Sequence, residues 1–203
     1  MKLILMTTPT FFVEEDSIIN SLFEEGLETL HLRKPEEEPI FSERLLTLLP
    51  SKWHKKIVAH DHFYLKNEYS LKGIHLSDWN SEPPPHYKGQ LSRTCRQMDL
   101  LASYKSRYDY VFLGPIFKSI SEPGKEAAFT MQQIQKASRK GLIDRKVYAI
   151  GGVRLDHVPM LKELGFGGVV VCGDLWNRFD HHISYDYKVL IDHFKRLQHA
   201  VDE

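Results

Sequence analysis

Three observations point to one fold class, an α/β chain closed into a single (β/α)8 barrel domain over residues 1–203. Short apolar runs such as IVAH, YVFLG, VYAIGG and GVVVCG lack the polar alternation of a half-wet sheet, as strands covered on both faces do. Amphipathic, helix-like segments separate the runs through short connections, which implies βαβ units and a parallel sheet. Eight such runs fit into 203 residues, favouring a closed barrel near its lower size limit over a doubly wound sheet. A chain this long buries a substantial core without disulfides or a structural metal.

In chain order the predicted strands are Leu3–Thr7, Thr29–Arg33, Lys56–His60, Gly73–Leu76, Gln90–Arg93, Asp109–Leu113, Lys146–Ile150 and Gly168–Cys172. Helical patterns fall at Glu14–Glu25, Ile40–Leu49, Met98–Lys105, Met131–Ser138 and Val158–Leu164. Between strands four and five, WNSEPPPHYK carries Pro83, Pro84 and Pro85, so the fourth helix is expected short or missing. After strand six, the polar loop KSISEPGKEAAF reads equally well as a mobile lid or a solvated connector. Tyr185–Ala200 is expected as an extra C-terminal helix on the barrel's outside.

Lys+Arg and Asp+Glu both number 27, so formal net charge is zero. With no basic stripe either, nucleic acid is not an expected partner. Cys95 and Cys172 suit free thiols of a cytoplasmic protein better than a disulfide framework. The N-terminal MKLILMTTPT has too short an apolar run for a signal peptide, and no stretch reaches bilayer-spanning length, so no membrane partner is expected.

Catalysis in barrel enzymes sits at the C-terminal strand ends, which turns the strand list into a site list. Gly151 and Gly152 follow strand seven; Cys172 and Gly173 follow strand eight. Glycine lets backbone N–H groups approach an anion, and a helix starting just beyond adds its positive end, so these turns read as a phosphate site rather than as tight turns alone. Asp61 and Asp78 end neighbouring strands, where they would share a Mg2+ that also touches a diphosphate; the other reading has them cap helices. Arg33 and Lys34 would meet the same diphosphate. His60 and His62, with His31 and His75 as further ligands, offer a lesser zinc alternative whose spacing matches no closed set. His181 and His182 read as surface residues, and Cys95 lacks an orienting base.

LHLRK, AHDH, GIHLSD, DYVFLGPIFKSIS, YAIGGV and GFGGVVVCG, in this order along almost the whole chain, resemble the thiamine-phosphate synthase/TenI family. The resemblance implies a small barrel of thiamine biosynthesis acting on phosphorylated pyrimidine and thiazole substrates, with homo-oligomerisation left open. Synthase members join hydroxymethylpyrimidine diphosphate to thiazole phosphate and release pyrophosphate with Mg2+. TenI-type members isomerise the thiazole ring without the metal.

Residue by residue, Gly151 and Gly152 match the family's thiazole-phosphate turn, and Gly173 falls where synthases have serine. Ser119 and Ser121 stand where two threonines touch pyrophosphate, and Arg33 matches the family arginine. The family lysine falls at Pro35, one step beyond Lys34. Asp61 matches the first metal aspartate, flanked by His60 and His62 in place of Asn and Arg. The second aligns with Asn80, leaving Asp78 as a substitute. The lid lysine aligns with Glu122, between Lys118 and Lys125, and the TenI histidine falls at Cys95 or Arg96. The resemblance thus implies synthase chemistry first. The alternatives are a tautomerase using His60, His62 or Cys95 as acid/base, and a non-catalytic thiazole- or thiamine-phosphate binder.

Overall fold

A computed structural model describes residues 1–35, 37–120, 124, 126–179 and 187–203. Eight strands close into one parallel barrel in chain order: β1 Lys2–Met6, β2 Leu30–Leu32, β3 Ile57–Ala59, β4 Gly73–Leu76, β5 Gln90–Cys95, β6 Tyr110–Leu113, β7 Val147–Ala149 and β8 Gly168–Val171. The ring is completed where β1 lies beside β8, Lys2 opposite Gly168 and Leu5 opposite Val171. The expected α/β barrel is the observed fold.

Side chains alternate between the two faces of the wall. Outward residues such as Leu5, Leu30, Val111, Val147 and Val169 pack beneath the helices in the main core. Inward, Ile4, Met6, Tyr110, Phe112 and Val170 form a smaller cluster. The remaining interior is polar, with His31, His75 and Ser92 fully buried and His60 6% exposed. That interior floors the site.

Helix α1, Glu15–Glu24, turns Ile18, Ile19, Leu22 and Phe23 onto the barrel at helical spacing. Helix α2, Pro39–Leu48, opens on a proline whose missing N–H costs nothing in the first turn. One-turn helix α3, Leu65–Glu68, follows β3, and no helix follows β4, as its prolines dictate. Helices α4, Leu101–Arg107, and α6, Val158–Glu163, each continue from a 3-10 turn, and α5, Met131–Arg139, starts at a Thr130–Gln133 capping box. One-turn helix α7, Gly173–Trp176, follows β8, and α8, Lys188–Asp202, buries Leu190, Phe194, Leu197 and Val201.

The differences from the sequence reading are local. Helices α3 and α7 are too short to carry a periodic signal. Strand β5 runs past the expected end at Arg93 to Cys95. The final helix starts at Lys188; residues 185 and 186, where it was expected to begin, lie outside the described residues. Among the described residues no helix is long and apolar enough to cross a membrane.

Candidate active site

At the C-terminal strand ends one pocket is lined by Arg33, His60, Asp78 and Trp79 on one side and Ser119, Gly151, Gly152, Cys172 and Gly173 on the other. The glycine side is built for an anion. Gly151 and Gly152 take φ of +91° and +62°, and a Cβ there would collide with Pro115 and with the Lys118 carbonyl. The amides of Gly152, Val153 and Gly173 find no acceptor among the described residues. Such uncommitted donors at a turn make an anion-binding concavity. Helix α7 is a single turn, too short to supply the helix dipole expected from the sequence.

Asp174 braces this end. Its Oδ2 accepts from the Leu155 amide at 3.0 Å and lies 2.8 Å from His193 Nε2, while Oδ1 accepts from Arg178 at 3.1 Å. One carboxylate therefore ties the loop after β7 to the start of α7 and to α8. Burial works to raise its pKa, but hydrogen bonds from His193 and Leu155 prevail and hold it below the usual carboxylate range.

The cationic side departs from expectation. Arg33 lines the pocket, its backbone fixed by the Thr7 hydroxyl at 3.0 Å. Lys34 does not turn toward a diphosphate. Its Nζ lies 2.7 Å from both Glu15 oxygens and donates to the Thr8 and Thr10 carbonyls, with both charged side chains fully buried. Burial pushes Glu15 up to about 7 against the pull of Lys34, and lowers Lys34. Arg96 lines the pocket instead.

Asp78 faces two guanidinium groups, Arg93 and Arg96, each at 3.7 Å. Asp61 follows His60; its Oδ2 is buried without a hydrogen-bond partner, and Trp79 Nε1 lies 3.5 Å from Oδ1. Asn80 donates to the Asp61 carbonyl at 3.1 Å rather than offering a carboxylate. Ser119 lines the pocket, and Lys118 pairs with Glu126 in solvent. Ser121, Glu122, Lys125, His181 and His182 lie outside the described residues, and the expected lid is described at residues 118–120, 124 and 126–129.

Of the acid/base alternatives, Cys95 is excluded by its direction. It is fully buried in the outer core and its Sγ donates to the Gln97 carbonyl at 3.0 Å. Burial raises its thiol, which disfavours a thiolate. His62 leaves the strand face and lies near Tyr64, with ring centroids 6.3 Å apart, so it forms no pair with His60. The imidazoles that do meet are His31, His60 and His75.

His31 Nδ1 and His60 Nε2 are 2.8 Å apart, as are His31 Nε2 and the Tyr110 hydroxyl. His75 sits between the Ser92 and Thr94 hydroxyls, each at 2.8 Å, and stacks on His60 with centroids 4.3 Å apart. Burial pushes His75 down to about 3 and drives His31 and His60 well below the usual imidazole range. The pocket thus has a neutral imidazole floor between two cation- and amide-rich walls.

The model of the thiamine monophosphate synthase family matches residues 13–175, most of the barrel. The chain belongs to that family. A crystal structure of thiamine phosphate pyrophosphorylase from Bacteroides thetaiotaomicron is 49% identical, with a TM-score of 0.90 over 100% of this chain and 98% of that one. Thiamine-phosphate synthase of Histophilus somni is 28% identical over 152 residues, a match covering 69% of this chain and 65% of the relative's length. A thiamine phosphate pyrophosphorylase from Pyrococcus furiosus, 14% identical, shares the fold with a TM-score of 0.74 over 99% of this chain and 95% of its own.

Within this barrel, sequence reasoning missed Trp79 at the rim, Asp174 and Tyr110. Trp79 carried a signal, an aromatic at a strand-end loop, and is 61% exposed. Tyr110 and Phe112 alternate inward on β6, but an apolar run conceals which of its residues face the floor. Asp174 has no local signal, because His193 lies 19 residues away.

Proposed function

We propose that the chain is a thiamine-phosphate synthase, a transferase joining hydroxymethylpyrimidine diphosphate to thiazole phosphate with release of pyrophosphate. The observation that carries this reading is the two-ended pocket, with free turn amides at Gly152 and Gly173 across from Arg33 and Arg96. One end suits a monophosphate and the other a diphosphate leaving group. The whole-length similarity to the Bacteroides pyrophosphorylase supports the same assignment.

In this reading the bond from the pyrimidine methylene to the diphosphate oxygen breaks, and its electron pair leaves with pyrophosphate. The thiazole nitrogen then gives its lone pair to the methylene carbon. Such a reaction needs alignment and charge neutralisation more than a strong base. Arg33, Arg96 and Ser119 receive the developing diphosphate charge, and the Gly151–Gly152 turn with Gly173 fixes the thiazole phosphate. Lys34 acts through the fold, holding Arg33's loop against α1.

For Mg2+, the unpartnered Asp61 Oδ2 fits a hard cation, whereas Asp78 is committed to Arg93 and Arg96. Asp61 would hold the ion. When bound, Mg2+ neutralises charge on the leaving pyrophosphate. The substrates are small phosphorylated heterocycles, and two cysteines without a disulfide suit a cytoplasmic setting.

Purified protein given both substrates and Mg2+ should release pyrophosphate, and Arg33→Ala should lower the turnover about 10²–10³-fold. Release no greater than in a protein-free blank would discard the proposal. Tight calorimetric binding of thiazole phosphate alongside such inactivity would instead identify a non-catalytic binder.

A further inference from the structure

The imidazole floor is not used by the chemistry above, yet His60 lines the pocket and its Nδ1 has no partner among the described residues. Each hydrogen bond behind it holds one proton, so fixing one end fixes the next. The Tyr110 hydroxyl is buried, and its hydrogen bond is to His31 Nε2 at 2.8 Å. A phenol that only accepted here would leave its own buried proton without an acceptor, so Tyr110 donates to His31 Nε2. Neutral His31 then carries its proton on Nδ1 and donates it to His60 Nε2. Neutral His60 in turn carries its own on Nδ1. We propose that His60 meets the ligand as a hydrogen-bond donor, and that Tyr110 and His31 are positioning residues that set this tautomer from inside the barrel. The ligand class selected is an aromatic heterocycle presenting an unprotonated ring nitrogen.

The 2.8 Å contact between His31 Nδ1 and His60 Nε2 holds one proton, so one of the two nitrogens is an unprotonated acceptor. Both nitrogens of His75 are engaged by hydroxyls, so the trio does not offer three free lone pairs to one metal ion.

The substrate class rests on the synthase reading; the tautomer does not, which separates their failures. Nitrogen-15 NMR of the ligand-free protein at neutral pH reads each imidazole's tautomer directly. The expected result is protonated Nδ1 on both His31 and His60. A His60 protonated on Nε2 overturns the proposal, whatever the enzyme assay gives. Tyr110→Phe should mix the two His60 tautomers. His31→Gln, whose amide can accept from Tyr110 and donate to His60, should preserve Nδ1–H, whereas His31→Leu should not. In the pyrophosphate assay, His31→Leu should raise KM for the pyrimidine diphosphate about tenfold and leave KM for thiazole phosphate within about twofold. An unchanged tautomer and unchanged KM in His31→Leu would also overturn it.

Discussion

At Lys34 one step in register changes what a cation does. Arg33 lines the pocket, while its neighbour turns into the wall and meets Glu15 from α1 with both side chains fully buried. Lys34→Met would leave Glu15 buried without a counter-charge, so unfolding in urea should show a loss of about 3–5 kcal/mol. Adding Glu15→Leu should recover most of that loss, and a single variant as stable as the parent would refute the structural role. The sequence announces a cation at position 34 but not its partner, 19 residues away. Arg33, Gly151, Gly152 and Gly173 were legible because strand-end position alone settles their direction. Asp78 was legible as a pocket residue, though Arg93 and Arg96 claim its charge. For Cys95, a strand two residues longer than expected decided the face.

Among the elements, most strands were readable as short apolar runs, with β5, QLSRTC, the polar exception. One-turn α3 and α7 were not, since their existence depends on what they pack against. Helix α7 matters beyond its length, because Asp174 within it holds the Leu155 amide of the neighbouring loop. Asp174→Asn keeps the volume and removes the charge that His193 and Arg178 meet. It should raise KM for thiazole phosphate about tenfold while leaving KM for the pyrimidine diphosphate within about twofold, because hydrogen bonds to a charged carboxylate are the stronger kind. Equal changes in both would point to general loosening instead.

For the whole molecule, the barrel's interior sets a pH response. His31, His60 and His75 have folded pKa values below their unfolded one, near 6.5, with His75 down to about 3. Below pH 6.5 the unfolded chain binds protons that the folded one refuses, so their contribution is complete above that pH and is lost as pH falls toward 3. Glu15 has the opposite sense: raised to about 7, it contributes most below its unfolded value of 4.5 and loses that contribution as pH rises through 7. With three imidazoles against one carboxyl, Tm should fall between pH 7 and pH 4, and less steeply in His75→Asn. A flat profile would mean that the floor is hydrated or charged.

The three-way grip of Asp174 also makes the phosphate turn and helix α8 thermodynamic partners. Anything that binds the native turn and not the unfolded chain adds RT ln(1 + [L]/Kd) to stability. Through the His193 contact part of that gain belongs to α8, far from the ligand itself. Amide exchange along Leu190–Val201 should therefore slow when inorganic phosphate fills the turn, and cease to respond in Asp174→Asn. The C-terminal helix would then serve as a gauge of occupancy at the barrel's mouth.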